Sequence, residues 1–177
     1  YEFASNTKTT YDILVNKKDI SNEIEFYNIP PNNTQEYQPL GFVPGVDLPV
    51  EYSYINYTET LLFNDQEVYE VVNVGKYEYR VVVNSDNYIA NKVVKFEVTK
   101  KDISNSINVN ITDNDIIALD EVSKITINID KYKVDFKVSY EKLNSTIIAN
   151  QIGDIGSYRM HIIVNNDYYQ GEKKKKR

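Results

Sequence analysis

Val74-Gly75-Lys76-Tyr77-Glu78-Tyr79-Arg80-Val81-Val82-Val83-Asn84-Ser85-Asp86-Asn87-Tyr88 runs without a gap against Ile155-Gly156-Ser157-Tyr158-Arg159-Met160-His161-Ile162-Ile163-Val164-Asn165-Asn166-Asp167-Tyr168-Tyr169. Upstream, Lys17-Lys18-Asp19-Ile20-Ser21 matches Lys100-Lys101-Asp102-Ile103-Ser104 at nearly the same offset. The repeat is about 80 residues long, too long for a solenoid unit and the size of a small domain. The chain therefore reads as two versions of one folding unit.

Working outward, alternation of period two dominates. Tyr77, Tyr79, Val81 and Val83 share one face, and Val94, Phe96 and Val98 share another. Ile125, Ile127 and Ile129, then Val134, Phe136, Val138 and Tyr140, repeat the pattern in the second half. Tyr11, Ile13 and Val15, and Val50, Tyr52 and Tyr54, read the same way. Successive strand side chains point to opposite faces, so each segment predicts a strand with one apolar face. Many short strands of this kind imply antiparallel sheets packed face to face. Short helical turns are expected only at residues 64–72 and 115–123.

The repeat sets boundaries. Residues 1–16 read as the closing strand of a preceding module or a linker, 17–99 as module 1, 100–171 as module 2, and 172–177 as a basic tail. Glu172-Lys173-Lys174-Lys175-Lys176-Arg177 stands where the second closing strand should be. On this reading five adjacent positive charges cannot bury a strand face, so module 2 lacks that strand, and its open edge invites strand-swapped self-association. All five prolines, with Gly41 and Gly45, fall within residues 29–49, for which the second half is expected to have no counterpart. Long irregular loops are either tolerated insertions or binding elements.

Each half carries one frame with structural chemistry: Asn73-x-Gly75-x-Tyr77 and Asp154-x-Gly156-x-Tyr158. This is the spacing of the tyrosine corner of immunoglobulin-like sandwiches. Glycine permits the turn, Asn or Asp satisfies turn amides, and the phenol buries its ring while its hydroxyl bonds backbone. The sequence Val72-Asn73-Val74-Gly75-Lys76-Tyr77, then Tyr79, Val81 and Val83, then Asn87-Tyr88, resembles the tandem bacterial immunoglobulin-like repeats called MBG (mostly bacterial Ig-like). Gly156, Tyr158 and Tyr169-Gln170-Gly171 fit the same outline. The resemblance covers the latter third of each module, and the proline-rich segment departs from it. It implies two tandem immunoglobulin-like β-sandwiches from an extracellular or cell-surface bacterial protein, acting as stalk or adhesive modules, with no catalytic residues to carry over.

Composition narrows the chemistry. The net charge of −6 lacks the basic balance of a general nucleic-acid binder. Without cysteine, neither disulfides nor thiolate metal sites are available, and His161 is the only histidine. No phosphate-binding glycine motif and no nucleophile elbow is present, so the chain reads as a non-enzyme without a cofactor. No apolar run is long enough to span a bilayer. Asp113-Asn114-Asp115 with Asp120 and Glu121 could donate oxygens to Ca²⁺, which wants about six to eight, but their spacing lacks the twelve-residue loop pattern and reads equally as a solvated loop. Tyr52, Tyr54 and Tyr57 suggest a stacking platform for a glycan or host protein, or half-buried strand residues. Abundant Lys and Asn leave room for an intramolecular isopeptide crosslink, visible as a mass lower by one ammonia. Three classes therefore stand: a spacer, a binding module, and an accessory domain of a secreted hydrolase.

Overall fold

The computed structural model describes residues 11–113 and 115–176, with backbone alone at Lys176. It is an all-β chain with short 3-10 turns. In the first half the strands are β1 (Lys18–Asp19), β2 (Glu25–Tyr27), β3 (Thr34–Glu36), β4 (Gly45–Asp47), β5 (Tyr57–Phe63), β6 (Gln66–Val68), β7 (Gly75–Asn84) and β8 (Tyr88–Thr99). In the second they are β9 (Lys101–Asp102), β10 (Ile107–Val109), β11 (Ile127–Ile129), β12 (Lys137–Lys142), β13 (Ile148–Ala149), β14 (Tyr158–Asn165) and β15 (Tyr169–Lys176).

Both halves follow one plan. The larger sheet of the first half runs β1-β8-β7-β5-β6, and that of the second runs β9-β15-β14-β12-β13. In each the short first strand lies parallel to the last and the other neighbours along these runs are antiparallel, and in the first half β3 adds a sixth strand, parallel to β8. A small antiparallel pair, β2–β4 or β10–β11, forms the opposing layer. Phe26 of β2 meets Tyr79 of β7 edge-on at 5.1 Å between ring centres, so the layers share a core.

Alternation decides what is buried. Tyr77, Tyr79, Val81 and Val83 face inward on β7, and Tyr158, Met160, Ile162 and Val164 do so on β14. Each full burial of a Val or Ile side chain contributes about 1.5–3 kcal/mol. The described residues form two separate clusters, one around Ile20, Ile24, Val81 and Phe96, the other around Ile103, Ile107, Met160 and Ile162.

Several sequence expectations need correction. Residues 169–176 are a strand, and module 2 has a closing strand after all: β15 pairs with β14 from Asn165↔Gln170 to Arg159↔Lys176. The lysines do not need to bury charge. Lys173 lays its stem across the module edge and donates to the Ile107 carbonyl at 2.5 Å, while Lys174 stays exposed and pairs with Glu172 at 2.8 Å. Lys92 makes the equivalent bond to the Ile24 carbonyl in module 1. The 29–49 segment also has a positional counterpart, because residues 28–44 link β2 to β4 as residues 110–126 link β10 to β11. Without prolines or sequence likeness, the second connection is invisible to alignment.

Residues 64–72 form no helix. Asn64 and Asp65, at φ 51° and 61°, make the two-residue turn between β5 and β6, because their short polar side chains tolerate the left-handed backbone that a tight hairpin requires. Residues 119–124 are a 3-10 turn. The strand expected at residues 50–54 is a 3-10 turn over Val50–Tyr52, set by Pro49 before it. Residues 11–17 carry no strand, and residues 1–10 and Arg177 lie outside the described residues.

Candidate functional site

The corner frames occupy equivalent places. The Tyr77 hydroxyl donates to the Asn73 carbonyl at 2.9 Å and accepts from the Asn73 amide at 3.0 Å. The Tyr158 hydroxyl reaches the Asp154 carbonyl at 3.1 Å and also the Asp154 carboxylate. Each ring is buried, so each phenol fastens the turn that leads into the central strand. The glycines differ. Gly75 sits at φ 145°, and a Cβ there would come within 2.6 Å of the Phe63 ring, whereas at Gly156 it would crowd the flexible end of Lys142 and touch the Tyr158 ring at an ordinary 3.5 Å.

Electrostatics differ in the same way. The Asp154 carboxylate accepts from Lys142 Nζ at 2.5 Å. Lys142, with Tyr158, holds the Asp154 carboxyl below its usual range, and the carboxylate in turn pushes the Tyr158 hydroxyl up. Module 1 has a neutral amide at this place, and burial raises the Tyr77 hydroxyl.

The opposite end of each module repeats almost bond for bond. The Asp19 carboxylate accepts from the Ser21 amide at 2.9 Å and the Ser21 hydroxyl at 2.6 Å, and Asp102 and Ser104 match both distances. The Ser21 Oγ accepts from the Asn91 amide at 3.1 Å, and the Ser104 Oγ from the Glu172 amide at 3.0 Å. Lys17 donates to Asn84 at 2.9 Å, and Lys100 to Asn165 at 2.7 Å. These Lys–Asn pairs are exposed hydrogen bonds, so they lack the buried setting an isopeptide crosslink needs.

Where the modules meet, the proline-rich connection has a definite task. β3 lies parallel to the end of β8, Thr34–Glu36 against Glu97–Thr99, and the Tyr37 amide donates to the Thr99 carbonyl at 2.8 Å. That places Tyr37 against Tyr168 (rings stacked, 4.6 Å) and Tyr169 (edge-on, 5.6 Å) of module 2. The Tyr168 hydroxyl donates to the Asn73 side chain at 3.3 Å, and the Asp102 amide to Glu36 at 3.4 Å. The corner of module 1 is thus tied to the β14–β15 turn of module 2, and β3 to the first strand of module 2. Sequence reasoning marked the segment but missed Tyr37, Tyr168 and Tyr169 as a group, because stacking across an interface leaves no spacing signal.

The proposed tyrosine platform is not assembled. Tyr52 is 4% exposed, accepts from Lys18 at 2.5 Å and donates to Glu23 at 2.7 Å, so its ring is part of the core and this assignment is corrected. Tyr54 and Tyr57 are exposed, at 72% and 40%. An apolar groove of about 550 Å³ lies elsewhere, lined by Phe63, Tyr69, Val72 and Tyr77 with Glu67 and Glu70. Tyr69 is its most exposed ring, at 88%.

His161 Nε2 lies 2.7 Å from Glu172 across β14 and β15, a surface pair. Asp115 accepts from the Thr112 amide and hydroxyl at 2.6 and 2.5 Å, and Asp113 approaches Lys175 at 3.9 Å. Asp120 belongs to the 3-10 turn. Among the described residues no group of three or more His or acidic side chains is placed to hold a metal. No helix among them is long and apolar enough to cross a membrane. No known family model, curated protein or solved structure matches this chain.

Proposed function

We propose that this chain is a non-enzymatic spacer: two immunoglobulin-like modules, held at a fixed angle, of an extracellular or cell-surface protein. The observation that carries it is the stack of Tyr37 on Tyr168 and Tyr169, with the Tyr168–Asn73 bond beside it. A free linker between independent modules would have no use for a dedicated aromatic brace, whereas a stalk that must transmit reach or force would. The immunoglobulin-like reading is supported by the corner tyrosine opening each central strand and by the small pair facing the larger sheet. The resemblance to MBG repeats points the same way.

Paired spin labels, one in β5 and one in β12, test it. The native chain gives one narrow distance distribution, and Tyr37→Ala broadens it without unfolding either module. A broad distribution in the native chain contradicts the spacer reading. A second reading, a ligand-binding module, is favoured by the groove beside Tyr69, whose exposed ring and neighbouring Glu67 and Glu70 suit a hydroxyl-rich glycan. Loss of glycan-array binding in Tyr69→Ala supports it, and an array blank with the native chain removes it.

A further inference from the structure

Each module carries a groove at the same place, between the start of its central strand and the short edge strand. In module 1 it encloses about 550 Å³ beside Phe63, Val68, Tyr69 and Tyr77. In module 2 it encloses about 430 Å³ beside Lys142, Ala149, Asp154 and Tyr158. Strand register makes the two equivalent: Phe63 pairs with Tyr77 as Lys142 pairs with Tyr158, and Leu61 with Val68 as Tyr140 with Ala149.

Module 2 places a cation of its own at its groove. Lys142 Nζ lies 5.7 Å from the centre of the Tyr158 ring and 2.5 Å from the Asp154 carboxylate. Ring and carboxylate both attract an ammonium, and the lysine stem covers apolar surface. In module 1 Phe63 stands where Lys142 does, 4.8 Å from the Tyr77 ring, and the corner residue is the neutral Asn73. The acids here are Glu67 on β6 and Glu70 on the bend after it, both exposed. Neither has an ion-pair partner among the described residues. The bridge of Phe42 to Val71, with amide-to-carbonyl bonds of 3.1 and 2.8 Å, holds that bend and brings Val43 to the groove. Tyr69, on the same bend, presents its ring to solvent. Module 1 therefore offers aromatic rings and unpaired carboxylates without the cation that module 2 carries at the same corner.

We propose that the module 1 groove binds a glycan that carries free amino groups, one sugar face packed on Tyr69 and its ammonium paired with Glu67 and Glu70. Such a ligand deepens the ligand-binding reading, on which the assignment rests, by naming the class of sugar. A neutral glycan would cover the exposed ring and leave both carboxylates without a counter-charge. A lysine side chain would satisfy the carboxylates but offers no flat face for the Tyr69 ring. An amino sugar meets both demands, and an open groove lets a polymer run across it.

Titration of the whole chain with glucosamine hexamer, followed through its backbone amides, is the test, with N-acetylglucosamine hexamer and hexalysine as comparisons. It is run at about pH 6, where the sugar amine carries its proton and glutamate keeps its charge. The expected result is a shift of the amides of residues 67–73, and an affinity about tenfold or more above that of either comparison. Glu67→Gln/Glu70→Gln brings the affinity down to that of the acetylated hexamer, and Tyr69→Ala removes it. These three side chains lie outside both cores, so melting stays unchanged in both variants. Equal binding of acetylated and free-amine hexamers at Tyr69 overturns the proposal and leaves the glycan reading standing. Hexalysine bound as tightly as the glucosamine hexamer also overturns it, since charge alone then suffices. A native chain that binds neither sugar removes the proposal and the ligand-binding reading together.

Discussion

Strands β8 and β15 take the same course through the two modules, yet they are made of different material. Over the stretch they share, β8 has Ala90, Val93 and Val94 where β15 has Gly171, Lys174 and Lys175, and the stems of Lys173 and Lys175 are half-buried along β15. The difference extends to the interiors: among the described residues thirteen buried side chains form the first cluster and seven the second, so the described part of module 1 carries the larger apolar gain. A repeated hydrogen-bond plan therefore specifies a fold without fixing its stability. The ladders and the Asp–Ser and Lys–carbonyl bonds are common to both modules, and the core volume is not.

The largest expected break in that asymmetry is Phe96→Ala. Removing the ring stacked on Tyr77 costs module 1 about 3–5 kcal/mol, which brings its urea midpoint to or below that of module 2. Met160→Ala lowers module 2 by about 2–5 kcal/mol and widens the gap instead. Lys173→Ala removes both an apolar stem and the bond to the Ile107 carbonyl, for a loss of about 1–2 kcal/mol in module 2. Lys92→Ala has a smaller effect, because the strand around it is fastened by Phe96 and Val98. Both are read from chemical denaturation of the single variants.

These contrasts also explain how much of the fold the sequence revealed. Strand phase on β7 and β8 was legible because Tyr77 to Val83 and Val94 to Val98 alternate cleanly. The corner tyrosines were legible because two frames coincide. The phase of β15 was hidden, since a run of lysines shows no alternation even when the side chains do alternate between covering and exposed roles. Tyr52 was misplaced because Pro49 converts an alternating segment into a 3-10 turn that turns the ring inward. The Tyr37–Tyr168–Tyr169 brace, formed across the joint, was beyond any local pattern.

Finer substitutions sharpen the comparison of the corners. Tyr77→Phe leaves the Asn73 amide and carbonyl without their shared partner and costs about 1 kcal/mol by thermal melting. Tyr79→Phe is neutral or mildly stabilising, because its buried hydroxyl makes no hydrogen bond of good geometry. Acid gives the smallest effect. The folded Asp154 carboxyl lies below its unfolded value, so its contribution is present above that value and lost as pH falls through the folded one. Below about pH 4 module 2 loses melting temperature, and Asp154→Asn removes that part of the acid sensitivity.

Urea titration followed amide by amide by NMR bears most directly on the account, that two versions of one unit fold around separate interiors of unequal size. The account predicts that signals from residues 101–176 vanish at a lower urea concentration than those from 18–99. A single transition shared by every amide, unchanged by Phe96→Ala, would contradict it.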